Sequence, residues 1–209
     1  LSRVDGVRVC GDRGGPIRSE QDVAHRPWLG SLIRQSSGSD LQEAVRLIAM
    51  QQQADGSFPA DAETVDQKAS AFENTALAAL AMLLAAEDTK IYRRQIEKSV
   101  TFLLDERQHH QLDEYHYFIA ALACRLYLEK MKHDKRAAQL AGSKIQAMRD
   151  KAGTFNASLL DPAYPETGKI EILYSLLGDK ESTLSGVDEK SGVKKLAAAI
   201  FREMLQPGR

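Results

Sequence analysis

Aromatic side chains are scarce in this chain: six phenylalanines, six tyrosines and one tryptophan make up 6% of its 209 residues. That leaves little material for a wide aromatic-lined cavity of the kind that steadies carbocations. Two cysteines, Cys10 and Cys124, are too few for a disulfide framework. With 28 basic against 29 acidic side chains the net charge is −1, so no whole-molecule field draws in nucleic acid or an anionic membrane. No apolar run approaches the roughly 18 to 20 residues a membrane-spanning helix needs; even 71–86 is interrupted by Glu73 and Asn74. There is no Gly-x-Ser-x-Gly elbow, no phosphate-cradling glycine loop and no useful stretch of β-alternation. The chain opens at Leu1 without a charged-then-apolar leader, and is expected to be a processed piece or fragment of a longer protein.

What is present is helical periodicity. The hydrophobic share of 43% suits an ordinary core. Residues 1–39 are rich in Gly, Arg, Ser and Pro, and read as an irregular segment or linker with a short helical piece near Trp28 to Arg34. From 40 to 209 the pattern is that of one helical domain. Asp40 with Glu43 resembles a capping box ahead of Leu41, Ala44, Val45, Ile48 and Ala49, which recur on one face. Asp55-Gly56 is expected to stop that helix, because glycine reaches the left-handed conformation cheaply. The second helix, Ser70 to Ala86, is apolar nearly all round and so predicts burial on most sides. Further helices are expected at Tyr92 to Glu106, Glu114 to Lys130, about 134–150, Thr167 to Leu177 and Val193 to Leu205. The first, third, fifth and seventh read as amphipathic and the even-numbered ones as more buried. Two layers of antiparallel helix pairs follow, each pair about 45 to 55 residues long, a repeat-like spacing.

Gln52 to Phe58 spells Q-x-x-D-G-S-F, and Thr75-Ala76-Leu77-Ala78-Ala79-Leu80 gives T-A-x-x-A-L on the next helix. Val100 to Leu104, Tyr117 to Leu126 and Ile170 to Leu177 supply matching outer and inner helices in order. This resembles the α/α-toroid group, and within it the thioester-containing domain of the complement and α2-macroglobulin family, across about Asp40 to Leu205. The resemblance implies an all-α partial ring of antiparallel helix pairs. It also implies an extracellular, non-enzymatic module that binds proteins in innate immunity or protease trapping, its partners being neighbouring domains or an immune receptor. That family forms its thioester from Cys-Gly-Glu-Gln. Here Cys10-Gly11-Asp12 is followed by Arg13, which has no acyl group to donate, so no working thioester, cofactor or metal is expected. The family's later G-G-F-x-S-T-Q segment is absent, and seven helices instead of about twelve leave an edge that needs a partner.

The candidate sites are few. Asn156-Ala157-Ser158 is an N-glycosylation triplet, with Asn156 as acceptor, and points to the secretory route. His109, His110, Asp113, Glu114 and His116 carry ligand-type side chains, but lack compact ligand spacing and read as a solvated loop entering a helix at Asp113. Glu73-Asn74-Thr75-Ala76 is similar to the acidic motif of a terpenoid cyclase, but holds a single carboxylate; the plainer reading places Glu73 near the positive start of a buried helix. An isoprenoid enzyme of the same architecture, cyclase or prenyltransferase subunit, is the alternative function. Tyr115, Tyr117, Phe118 and Tyr127 follow helical spacing and are expected in the core. Cys124 reads as a small buried thiol. Lys130 to Arg136 forms a basic helix junction expected to face water.

Overall fold

A computed structural model describes residues 39–206 apart from 63, 132–134, 154, 156, 162 and 179–191. The side chains of 39, 40, 135–141, 157 and 158 are likewise outside it. The expected linker before residue 39, Cys10, the piece at Trp28 and the acceptor Asn156 therefore lie outside the described residues.

All regular structure among the described residues is helical. Seven α-helices run α1 (Ser39–Met50), α2 (Gln67–Ala85), α3 (Arg93–Leu103), α4 (Glu114–Lys130), α5 (Lys135–Lys151), α6 (Glu166–Leu177) and α7 (Val193–Met204), with two short 3-10 turns at Glu106–Gln108 and Ala157–Leu160. The centre is α2, whose Phe72 and every residue from Ala76 to Met82 are fully enclosed. It packs against α1, α3, α4 and α7. Beside it lies α4, buried from Phe118 to Cys124, with α5 packed along its other side. Helices α1 and α3 bury one stripe each, as their sequence periodicity requires; on α3 this is Ile96, Ser99, Val100, Phe102 and Leu103, whereas α7 is buried all round from Leu196 to Phe201.

Two features depart from the sequence expectation. First, α6 is not an enclosed helix: only Lys169, Ile170 and Leu173 are buried, and Leu176 is exposed. It packs chiefly on α7, which itself turns back onto α1 and α2, so the even-numbered helices do not all share one environment. Second, α1 ends at Met50, closed by short bonds from Gln51 N–H to Ile48 O and Gln52 N–H to Ala49 O. Asp55-Gly56 is not its cap. The helix stops early because the glutamines are used in the turn. Gln53 N–H donates to Ser57 O, and the Gln52 side-chain amide donates to Gln95 O at 2.8 Å and Ser99 Oγ at 2.9 Å. Asp55 Oδ1 accepts from Ser57 N and Oγ at 3.0 and 2.7 Å, and Phe58 plunges into the core. Gly56, at φ +95°, crosses the backbone of Lys98 so closely that a Cβ would sit 2.5 Å from its carbonyl oxygen. The Q-x-x-D-G-S-F string thus ties the end of α1 to α3, one helix pair on.

Candidate functional site

The polar residues that interrupt the apolar sequence of α2 gather at one end of the fold, where the N-termini of α2, α4 and α7 lie together. Non-helical backbone laid against a core needs partners for its N–H and C=O groups, and α2 supplies them. Ser70 Oγ accepts from Asp61 N at 2.9 Å, Thr75 Oγ1 accepts from Phe58 N at 3.0 Å, and Asn74 Nδ2 donates to Pro59 O at 2.8 Å. All three residues are nearly or fully buried. Helix α2 itself is capped by Asp66, whose side chain accepts from Lys68 N and Ala69 N.

Glu73 sits between these residues, its side chain 12% exposed. One oxygen, Oε1, receives both the Lys194 ammonium from the first turn of α7 at 2.8 Å and the Tyr115 hydroxyl from the first turn of α4 at 3.2 Å. Since α2 begins at Gln67, Glu73 lies beyond the first turn, which holds no acidic residue. The expectation that it complements the helix N-terminus is therefore corrected: its charge is answered by Lys194, because the dipole effect has faded by that depth. The Tyr115 phenol is pushed well above its ordinary value by burial first and by the Glu73 carboxylate second. It is a donor at neutral pH and not a base. Both donors thus converge on one oxygen of Glu73.

The ligand-type side chains of the histidine-rich loop turn to separate partners. The His109 ring lies edge-on to Phe72 and Tyr117 with centroids 5.5 and 5.6 Å away, and Nε2 bonds Leu103 O at 2.8 Å. His110 is exposed. His116 Nδ1 meets Asp113 Oδ1 at 2.6 Å, and Asp113 also caps α4 through His116 N at 3.1 Å. No group of three or more His, Cys, Asp or Glu among the described residues is placed to hold a metal. A shallow cavity of about 180 Å³ nearby is lined by Asp66, Lys68, His110 and Gln111.

Of the aromatic residues expected in the core, Phe118 and Tyr127 are buried, while Tyr115 and Tyr117 are half-buried at its edge. Phe155 stacks on Phe118 at 4.8 Å and tilts against Tyr115 at 6.2 Å. Cys124 is fully buried, and burial pushes its thiol up to about 12. Lys130 is exposed and reaches Glu166 at 3.5 Å. Sequence reasoning missed Lys194 and the joint role of Tyr115; the available signal was an acidic residue inside an otherwise enclosed helix, which demands a cation from elsewhere.

No protein-family model matches the chain, and no curated protein or solved structure shows significant similarity to it. No helix among the described residues is long and apolar enough to cross a membrane.

Proposed function

We propose that this chain is a secreted, non-enzymatic interaction module of the complement and α2-macroglobulin type, with its helices forming part of an α/α toroid. It acts in innate immunity or protease trapping by contacting neighbouring domains or an immune receptor, and it has no working thioester. The observation that carries the reading is the turn at Gln52 to Phe58. Its side chains bond the next outer helix through Gln52 and bury Phe58 in the core beside α2. That is the work a ring repeat asks of such a string. The side-by-side placement of α2 and α4, with α1, α3 and α5 against them, supports the same reading.

The absence of a thioester rests on chemistry. The residue three after Cys10 is Arg13, and Cys124, with its thiol raised to about 12, is enclosed and almost entirely un-ionised at neutral pH. The isoprenoid-enzyme alternative is less well supported, because Glu73 already accepts from Lys194 and Tyr115. Treatment with methylamine followed by intact-mass analysis tests the proposal, and no mass change is expected. A gain of one methylamine with a new free thiol overturns it, and saturable binding of an isoprenoid diphosphate transfers the chain to the alternative. A glycan on Asn156 is the expected mark of secretion.

A further inference from the structure

We propose that Met50 is a reversible oxidation site, at which hydrogen peroxide makes the sulfoxide and Arg46 holds it on the helix. The chain has five methionines, Met50, Met82, Met131, Met148 and Met204. Met82 and Met148 are buried, and Met131 and Met204 are half-buried against the core. Met50, the last residue of α1, is 67% exposed, so its sulfur is the one most open to an oxidant in solution. The reaction needs nothing beyond that sulfur and the peroxide. The sulfur lone pair attacks the O–O bond: an S–O bond forms, the O–O bond breaks, the sulfur gives up two electrons, and the departing oxygen leaves as water once it has taken the proton of the transferred hydroxyl.

What marks Met50 out is the donor beside it. Arg46, one turn earlier on the same face of α1, uses all three guanidinium nitrogens: Nε, at 2.7 Å, and Nη2 donate to Glu43, and Nη1 donates to Met50 Sδ at 3.1 Å. A thioether is a weak acceptor. A sulfoxide oxygen is polar, so the N–H that meets sulfur in the reduced chain makes a charge-assisted bond in the oxidised one. At Met82 or Met148 the same oxygen would lie among apolar side chains and disrupt the core. At Met50 it replaces an exposed apolar group by a polar one with a donor already in place, and leaves α1 and the Gln52 turn beyond it intact. Oxidation therefore changes the surface at the end of α1 and not the fold, and sulfoxide reductases reverse it.

The test uses the full chain in a Cys10→Ser background, which removes a competing thiol. This parent, its Arg46→Ala variant and its Met50→Leu variant are treated with dilute hydrogen peroxide, oxygen uptake is mapped by peptide mass analysis, and urea unfolding is followed before and after. Met50 is expected to take the first oxygen at least about tenfold faster than Met82 or Met148, because exposure governs susceptibility, and Met50→Leu takes none at that dose. The change in folding constant on oxidation is about threefold more favourable in the parent than in Arg46→Ala, the modest worth of an exposed bond to a charged donor. A mixture of the two epimer-specific sulfoxide reductases restores the original mass. A first oxygen at another methionine, an equal change in both variants, or a sulfoxide that the reductases leave untouched overturns the proposal.

Discussion

Replacing Gly56 by alanine is expected to cost about 3 kcal/mol of folding stability, whereas the same change at Gly178 costs about 1 kcal/mol. Both glycines have positive φ, +95° and +66°, and an alanine held in the left-handed region costs about 1–2 kcal/mol wherever it is. What separates them is space. An ideal Cβ on Gly56 falls 2.5 Å from the carbonyl oxygen and 2.8 Å from the carbonyl carbon of Lys98, whereas one on Gly178 meets nothing within 4 Å. The Lys98 atoms are backbone inside α3 and cannot swing aside, so the turn or the helix must move, at about 1–3 kcal/mol as for other overpacked sites. Urea unfolding followed by helical circular dichroism reads the difference. With a slope of about 2 kcal/mol per molar, the midpoint falls by about 1.5 M for Gly56→Ala and about 0.5 M for Gly178→Ala. Equal shifts would refute the claim that the turn is pressed against α3, and with it the account of why that string contains glycine.

Two further outcomes are expected. The Asp55 carboxyl is held below the usual carboxylate range by hydrogen bonds from Ser57 N–H and Oγ, with Lys98 adding attraction; its contribution to stability is present above the unfolded value near 3.9 and is lost as pH falls through that value toward the folded one. Urea midpoints between pH 7 and pH 3 should therefore fall less steeply for Asp55→Asn than for the parent, and parallel slopes would count against the assignment. In a Cys10→Ser background, Cys124 is fully buried with its thiol pushed up to about 12, so a thiol reagent such as DTNB at neutral pH should label it only at the rate of unfolding; labelling within minutes in buffer contradicts that burial.

The helices were legible because their signal is local. The apolar stripe of α3 and the punctuation around α4 depend on neighbours three or four residues away, and α4 runs over the expected Glu114–Lys130 with Asp113 as its cap. The end of α1 was misplaced for the opposite reason. Nothing within reach of Gln52 announces that its amide is needed by Gln95 and Ser99, 43 and 47 residues further on, and only that demand explains why the helix releases the chain at Met50. Helix α6 was misread in a similar way. Ile172, Leu176 and Leu177 resemble the residues of an enclosed helix, but enclosure depends on what packs outside them, and among the described residues that is chiefly α7.

The polar cluster shows how far such inference can be pushed. Glu73 is conspicuous in the sequence because an acidic side chain within an apolar helix must meet a cation, a donor or water. Candidate cations numbered 28, and spacing along the chain favours none, since Tyr115 alone lies 42 residues away. What narrows the choice is the fold: once the N-termini of α2, α4 and α7 share one end, a cation in the first turn of α7 can reach Glu73, and Lys194 is placed there. An acidic residue in a buried helix thus predicts that a partner exists, topology predicts which element carries it, and the side-chain geometry then shows which donors its oxygens meet. At Glu73 both donors point inward, so the group that most resembled a catalytic acid is better explained as a fastening between helices.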